Sequence, residues 1–169
     1  MKIGLIIPAR KGSKTIKNKN LKLLNNVPLA EHTFKSVKSL NYPKFILSND
    51  KKINKIANKY GIISDYKRPK KVSEDKSSLI ETLENFVLWL KNSKYEIDVF
   101  VILQVTSPLR RKLDIVNAIN FYKKNKFKSL FSVSESQEHP FEKINLFKKT
   151  KWKYNIPLKK NFYRRQDYN

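Results

Sequence analysis

The chain predicts an open α/β fold of three layers, a mostly parallel sheet between helices, and three observations carry that expectation. Short apolar runs alternate with stretches of helical periodicity along the sequence, which is how parallel strands joined by crossover helices read. The run Asp98-Val99-Phe100-Val101-Ile102-Leu103 is apolar after its first residue, as expected of a central parallel strand covered on both faces. The opening run Ile3-Gly4-Leu5-Ile6-Ile7 empties directly into Pro8-Ala9-Arg10-Lys11-Gly12-Ser13-Lys14, with Asn18-Lys19-Asn20 close behind. A basic loop at the carboxyl end of a strand is where such sheets hold anionic groups, and backbone N–H groups near Gly12 and Ser13 would add a neutral cradle.

The elements follow in order. Strand one covers 3–7. Val27-Pro28-Leu29 opens a helix whose apolar positions are Leu29, Phe34, Val37 and Leu40. Phe45-Ile46-Leu47-Ser48 is strand two, and Ile53, Ile56, Ala57 and Tyr60 recur at helical spacing before Gly61, placed as a helix-ending glycine. Ile62-Ile63 suggests strand three. Residues 77–90 form the clearest helix: Leu79, Leu83, Phe86, Val87 and Leu90 share a face, and Ser77 or Ser78 can cap it. After the run at 98–103, Ile115, Ala118, Ile119 and Tyr122 mark another helix, and Leu130-Phe131-Ser132-Val133 another strand.

Size and composition bound the rest. The 169 residues, 40% hydrophobic and 12% aromatic, suffice for one domain, 1–169, with a real core. With no cysteine, neither a disulfide frame nor a thiolate metal site is available. The N-terminus lacks a signal-like apolar stretch, and no segment reaches the roughly 18 apolar residues of a spanning helix, so a cytoplasmic location without membrane contact is expected. A net charge of +23 raises the question of nucleic acid. Only six of the 37 basic residues are arginines, and the lysines are spread along the whole chain. A nucleic-acid reader concentrates its basic footprint, and no recognition motif accompanies the charge, so nucleic acid is not the favoured partner.

A second polar motif, Gln104-Val105-Thr106-Ser107-Pro108-Leu109-Arg110, ends the run at 98–103. It offers an amide, two hydroxyls and a planar fork suited to a carboxylate or phosphate. Arg68-Pro69 with Ser73, Asp75, Ser77 and Ser78 is a third polar group, and Tyr163-Arg164-Arg165-Gln166-Asp167 a fourth. Each alone also reads as an ordinary loop, turn or chain end. Four such groups at strand ends point to one site. His32 falls inside a helical pattern and reads as a packing or surface residue, while His139 precedes Pro140 in a loop.

Ile7 to Lys14, Lys19-Asn20, Ser48-Asn49-Asp50, Arg68-Pro69, Leu103 to Arg110, His139-Pro140-Phe141 and Arg164-Arg165-Gln166-Asp167 occur in the order found in the acylneuraminate cytidylyltransferases, the CMP-sialic acid synthetases, and the chain resembles that family over nearly its whole length. Val105 stands where the family usually has proline.

The resemblance implies a Rossmann-like nucleotide-diphospho-sugar transferase fold and a nucleotidyltransferase reaction. CMP would pass from CTP to the anomeric hydroxyl of an acidic nonulosonic sugar, releasing pyrophosphate with Mg²⁺, as a step toward cell-surface glycans such as lipopolysaccharide or capsule. It implies catalytic roles for Arg10, Lys14 and Lys19, and nucleotide contacts at Ala9, Gly12, Ser13, Asn20, Arg68, Ser77 and Ser78. Gln104, Thr106, Ser107 and Arg165 would face the sugar acid. Family members continue past the Arg-Gln segment to further strands, a dimer-forming excursion and metal-binding aspartates. The expectation is therefore a domain incomplete at its C-terminus, with its metal ligands unassigned and a homodimer as the family's assembly. A truncated, non-catalytic nucleotide binder and a polybasic nucleic-acid binder are the alternatives.

Overall fold

The computed structural model describes residues 1–12, 16–73 and 77–133, with the strands 144–147 and 151–154. It divides into two compact units, Met1–Lys128 and Ser129–Asn169. In the second, β6 (Ile144–Phe147) and β7 (Lys151–Tyr154) pair as an antiparallel hairpin.

The first unit is built on β1 (Ile3–Pro8), which pairs in parallel with β4 (Lys44–Leu47) on one side and β5 (Val99–Ile102) on the other. Side chains alternate across a strand, and the two faces of β1 feed two cores. Ile3, Leu5 and Ile7 pack with Phe34 and Val37 of α1 (Leu29–Val37), Ile53 and Ala57 of α2 (Lys51–Asn58), and Ile115 and Ile119 of α4 (Lys112–Asn125). Ile6 turns the other way, to Phe45, Leu47, Tyr66, and Phe86 and Leu90 of α3 (Leu79–Lys91). Gly4 faces this second core, where a Cβ would stand 3.0 Å from Ile97. The three-layer α/β arrangement expected from the sequence is thus observed.

Five details differ from expectation. Among the described residues the central strand is β1, with β5 beside it: Val99, Phe100 and Val101 are only half-buried, and Ile102 is 40% exposed. Val27–Pro28 stops just short of the helix, which begins at Leu29. These two residues are β3, paired with β2 (Leu23–Leu24) across a tight turn in which Asn25 and Asn26 both have positive φ, 48° and 59°. Such backbone matches the twist of a two-residue hairpin, and asparagine tolerates it. Ile63 makes a single parallel bridge to Phe45 in place of a full strand. Residues 130–133 form no strand, and Leu130, Phe131 and Val133 are exposed. On α4, Ala118 lies on the exposed side, and Val116 joins Ile115 and Ile119 at the core.

Of the two serines available to α3, Ser78 is the cap. Its Oγ accepts from Glu81 N–H at 3.1 Å, and Glu81 Oε2 accepts from Ser78 N–H at 2.7 Å, a reciprocal capping box. Ser78→Ala is expected to destabilise the fold by about 1 kcal/mol, read as a shift in the urea midpoint with an unchanged slope.

Helices α1 and α2 are joined by Tyr60, whose hydroxyl donates to Glu31 Oε1 at 2.6 Å. That hydrogen bond, with burial and the carboxylate charge behind it, pushes the phenol from 10.0 up to about 12. The protonated form is the one the fold favours. Its contribution is full below the unfolded value and is lost as pH rises from 10.0 to about 12. Tyr60→Phe should cost about 0.5–1 kcal/mol at neutral pH, limited by the pair's partial exposure. The stability gap between the two proteins should close over that alkaline window, as denaturant titrations at successive pH values would show.

Candidate functional site

A cleft of about 240 Å³ opens at the carboxyl end of β1. Its floor is the chain leaving that strand, Pro8 to Gly12, where Gly12 takes a φ of 83° that a side chain would resist. One wall is the 3-10 turn Lys19–Leu21, entered through Asn18 in the left-handed region at φ 54°. Asn20 Nδ2 donates to the Arg10 carbonyl at 2.9 Å, tying that turn to the floor. Arg68, Ser77 and Leu79 form the opposite wall, and Gln104, Val105 and Thr106 close the end beyond β5. Asp50 completes the lining at the start of α2, which it caps by accepting from Lys52 N–H at 2.9 Å.

Four cations, Arg10, Lys11, Lys19 and Arg68, meet one carboxylate in this lining. Arg68 is only 9% exposed, and its Nε and Nη2 both donate to the Val72 carbonyl, at 3.1 and 2.6 Å. Burial holds its guanidinium below the ordinary basicity; Tyr66 opposes the effect and the charge of Arg10 adds to it. Arginine stays protonated regardless, so Arg10 and Arg68 place mutually repelling charges on one cavity. A polyanion lying between them relieves that repulsion. The low-dielectric walls strengthen its attraction.

Of the residues singled out from the sequence, Ala9, Arg10, Gly12, Lys19, Asn20, Arg68, Ser77, Gln104 and Thr106 come together here. Ser78 does not line the cleft, because its hydroxyl caps α3. Ser107 lies in the turn after Gln104, its N–H donating to the Gln104 carbonyl at 3.3 Å. Ser13, Lys14 and Arg165 fall outside the described residues, as do Asp75, His139 and the 163–167 segment. The Arg110 fork, suited to a ligand on sequence grounds, instead donates through Nη2 to the Gln104 carbonyl at 2.9 Å and braces the loop from behind. His32 Nε2 lies 2.9 Å from the Leu24 carbonyl, tying the β2–β3 hairpin to α1.

Sequence reasoning missed Lys11, Asn18 and the cleft-facing position of Asp50. It also missed Asn49, whose Oδ1 accepts from Lys11 N–H at 2.7 Å. The signals available were that Ser48-Asn49-Asp50 follows a strand end and is one of the segments that carry the family resemblance. Among the described residues no group of three acidic or histidine side chains could hold a metal ion. Asp50 is a lone carboxylate with one oxygen already capping α2, and Mg²⁺ asks for more oxygen donors than that. The described residues therefore do not make a metal centre.

The family model described as Cytidylyltransferase matches residues 5–168. The N-acylneuraminate cytidylyltransferase of Streptococcus agalactiae serotype V is 33% identical over 145 residues, 83% of this chain and 34% of the relative. The CMP-N,N'-diacetyllegionaminic acid synthase of Legionella pneumophila is 33% identical over 136 residues, 79% of this chain and 58% of that protein. The chain thus spans about a third to somewhat over half the length of these curated relatives. Among solved structures, a CMP:2-keto-3-deoxy-manno-octonic acid synthetase complexed with CTP superposes with a TM-score of 0.57 at 19% identity, over 75% of this chain and 49% of that one. A cytidylyltransferase from Leptospira borgpetersenii gives 0.55 at 20% identity, over 75% and 50%. Both structural likenesses concern the fold. Matched by the family model over residues 5–168, and 33% identical to these relatives over the aligned residues, this chain belongs to the cytidylyltransferase family.

Proposed function

We propose that the protein transfers CMP from CTP to an acidic nonulosonic sugar, with release of pyrophosphate. The observation that carries this reading is the cleft itself: four cations around one cavity at the strand ends, with the Gln104 amide and Thr106 hydroxyl closing it. In the reaction the sugar hydroxyl releases its proton to water, its oxygen bonds to the α-phosphorus, and the α–β phosphoanhydride breaks as pyrophosphate leaves with the bonding pair. Negative charge builds on the transferring and departing groups, and fixed cations aimed there are the main lever in such transfers.

In this reading Arg10 and Lys19 hold the triphosphate, joined by Lys14. Ala9, Gly12, Ser13, Asn20, Arg68 and Ser77 accommodate the nucleotide. Gln104, Thr106 and Arg165 face the sugar, where an arginine fork matches a carboxylate. The product would be a donor for glycosyl transfer in surface-glycan synthesis, and the reaction is placed in the cytoplasm, where CTP is made. CTP enters as its Mg²⁺ complex, and homodimerisation, part of the same proposal, is read by light scattering.

The test is pyrophosphate release by the purified protein given CTP, Mg²⁺ and a panel of nonulosonic acids, each against a sugar-free blank. Sugar-dependent release supports the assignment. Thermal stabilisation by CTP with no release under any sugar would reduce the protein to a nucleotide binder.

A further inference from the structure

The last main-chain rung between β1 and β4 runs from Ala9 N–H to the Leu47 carbonyl at 3.1 Å. Donors in a parallel ladder recur every second residue, so the next rung would join Lys11 N–H to the Asn49 carbonyl. The bond that forms goes to the Asn49 side chain instead, at 2.7 Å. Here the two backbones part. Ser48 Oγ accepts from Asp50 N–H at 3.0 Å, and the chain turns into the α2 cap. The Asn49 amide oxygen bridges the widening gap and prolongs the ladder by one rung.

The other end of the same peptide group is held as well. The Arg10 carbonyl accepts from Asn20 Nδ2 at 2.9 Å. The Arg10–Lys11 peptide thus has its C=O fixed by one asparagine and its N–H by another, from two elements distant in sequence. The residues on either side of it supply two of the four cations in the cleft. A peptide plane rotates by opposed changes in the torsions beside it, and glycine two residues on offers little resistance to such a change. These side-chain bonds are what oppose rotation.

We propose that Asn49 is a positioning residue: with Asn20 it locks the Arg10–Lys11 peptide and so aims both cations into the anion cleft. The lock stands on the bonds alone; its consequence for CTP rests on the transfer reading above. Asn49 carries no charge and does not line the cleft. Any loss of anion affinity on its removal therefore has to pass through the loop. The side chain is exposed, so Asn49→Ala leaves the folded core intact.

The experiment has two readouts on the wild type, Asn49→Ala and Asn49→Asp. The first is amide hydrogen exchange at Lys11, without ligand, with Ile6 and Phe45 as core references. Asn49→Ala is expected to speed Lys11 exchange about tenfold and leave the references unchanged, while Asn49→Asp, which keeps the acceptor oxygen, retains protection. The second is calorimetric binding of inorganic tripolyphosphate and of CTP, both expected to weaken about three- to tenfold in Asn49→Ala. Unchanged Lys11 exchange in Asn49→Ala overturns the lock. Faster exchange with undiminished tripolyphosphate affinity overturns the positioning role. A wild type that binds CTP no more tightly than tripolyphosphate counts against the transfer reading, leaving the lock to be judged on exchange and tripolyphosphate. A wild type that binds neither overturns the positioning role and the transfer reading, and the lock itself is then decided by Lys11 exchange.

Discussion

Arg10→Ala is expected to slow sugar-dependent pyrophosphate release by roughly 30- to 1,000-fold, equivalent to about 2–4 kcal/mol of transition-state stabilisation. The magnitude follows from place and chemistry together. Arg10 leaves the end of β1 with its carbonyl pinned by Asn20, so its side chain starts from a fixed point beside the cavity. Its charge already reaches Arg68 across the cleft, and it will reach any phosphate held between them. Charge on that phosphate grows as the anhydride breaks, so the larger loss should fall on kcat, with a smaller change in CTP affinity. Arg10→Lys keeps the charge but not the planar fork and should lie between. Lys19→Ala, in the 3-10 turn that lines the same cleft, should show a loss of the same kind. Turnover unchanged in both alanine variants, in samples whose thermal midpoints match the wild type, would remove the phosphate assignment.

The largest effect on stability is expected from Phe86→Ala, about 3–5 kcal/mol. Phe86 is fully buried, and its ring lies 5.3 Å from those of Phe45 and Tyr66 and 5.6 Å from Trp89, with which it is stacked. It sits at the middle of the buried seam of α3, between Thr82 and Leu90, pressed on the sheet face opposite the other three helices. Removing the ring leaves a void bounded by flat, rigid neighbours that collapse poorly, which places the cost high in the usual range. Against a net stability of about 5–15 kcal/mol, that is a large share of what holds a domain together. Urea unfolding followed by circular dichroism checks it. A loss below about 1 kcal/mol would contradict the packing of α3 on the sheet. Tyr66 leads directly into the segment carrying Arg68, so the variant should also weaken CTP binding.

What could be read from the sequence was whatever depended on local pattern. The unbroken apolar run of β1, a serine cap at the start of α3 and the left-handed Gly61 are properties of a few neighbouring residues. The rest depended on partners. An apolar run such as 99–103 looks the same at the centre of a sheet or beside it, and only pairing decides that β1 is in the middle. Asn25-Asn26 tolerates the positive φ of a tight hairpin, a feature that only the pairing of β2 with β3 brings out. In the site, Arg10, Lys19, Asn20 and Gln104 were legible because they directly follow strand ends or a basic step. Asp50 and Asn49 were not, because nothing in their spacing says which cleft a turn between β4 and α2 will face. Arg110 shows the converse: its fork was read as suited to a carboxylate or phosphate, but its acceptor, a carbonyl six residues back, is set by the tightness of a turn.

The division into two compact units also separates the chain's two tryptophans, Trp89 on α3 in the first and Trp152 on β7 in the second. Indole emission is consequently a natural label for each. In a Trp152→Phe protein the fluorescence comes from Trp89 alone, packed edge-on to Tyr66 and Phe45 beneath the cleft-bearing sheet. In Trp89→Phe it comes only from the hairpin. Comparing the two emission traces through one denaturation tells whether the units melt as a single cooperative body or one after the other.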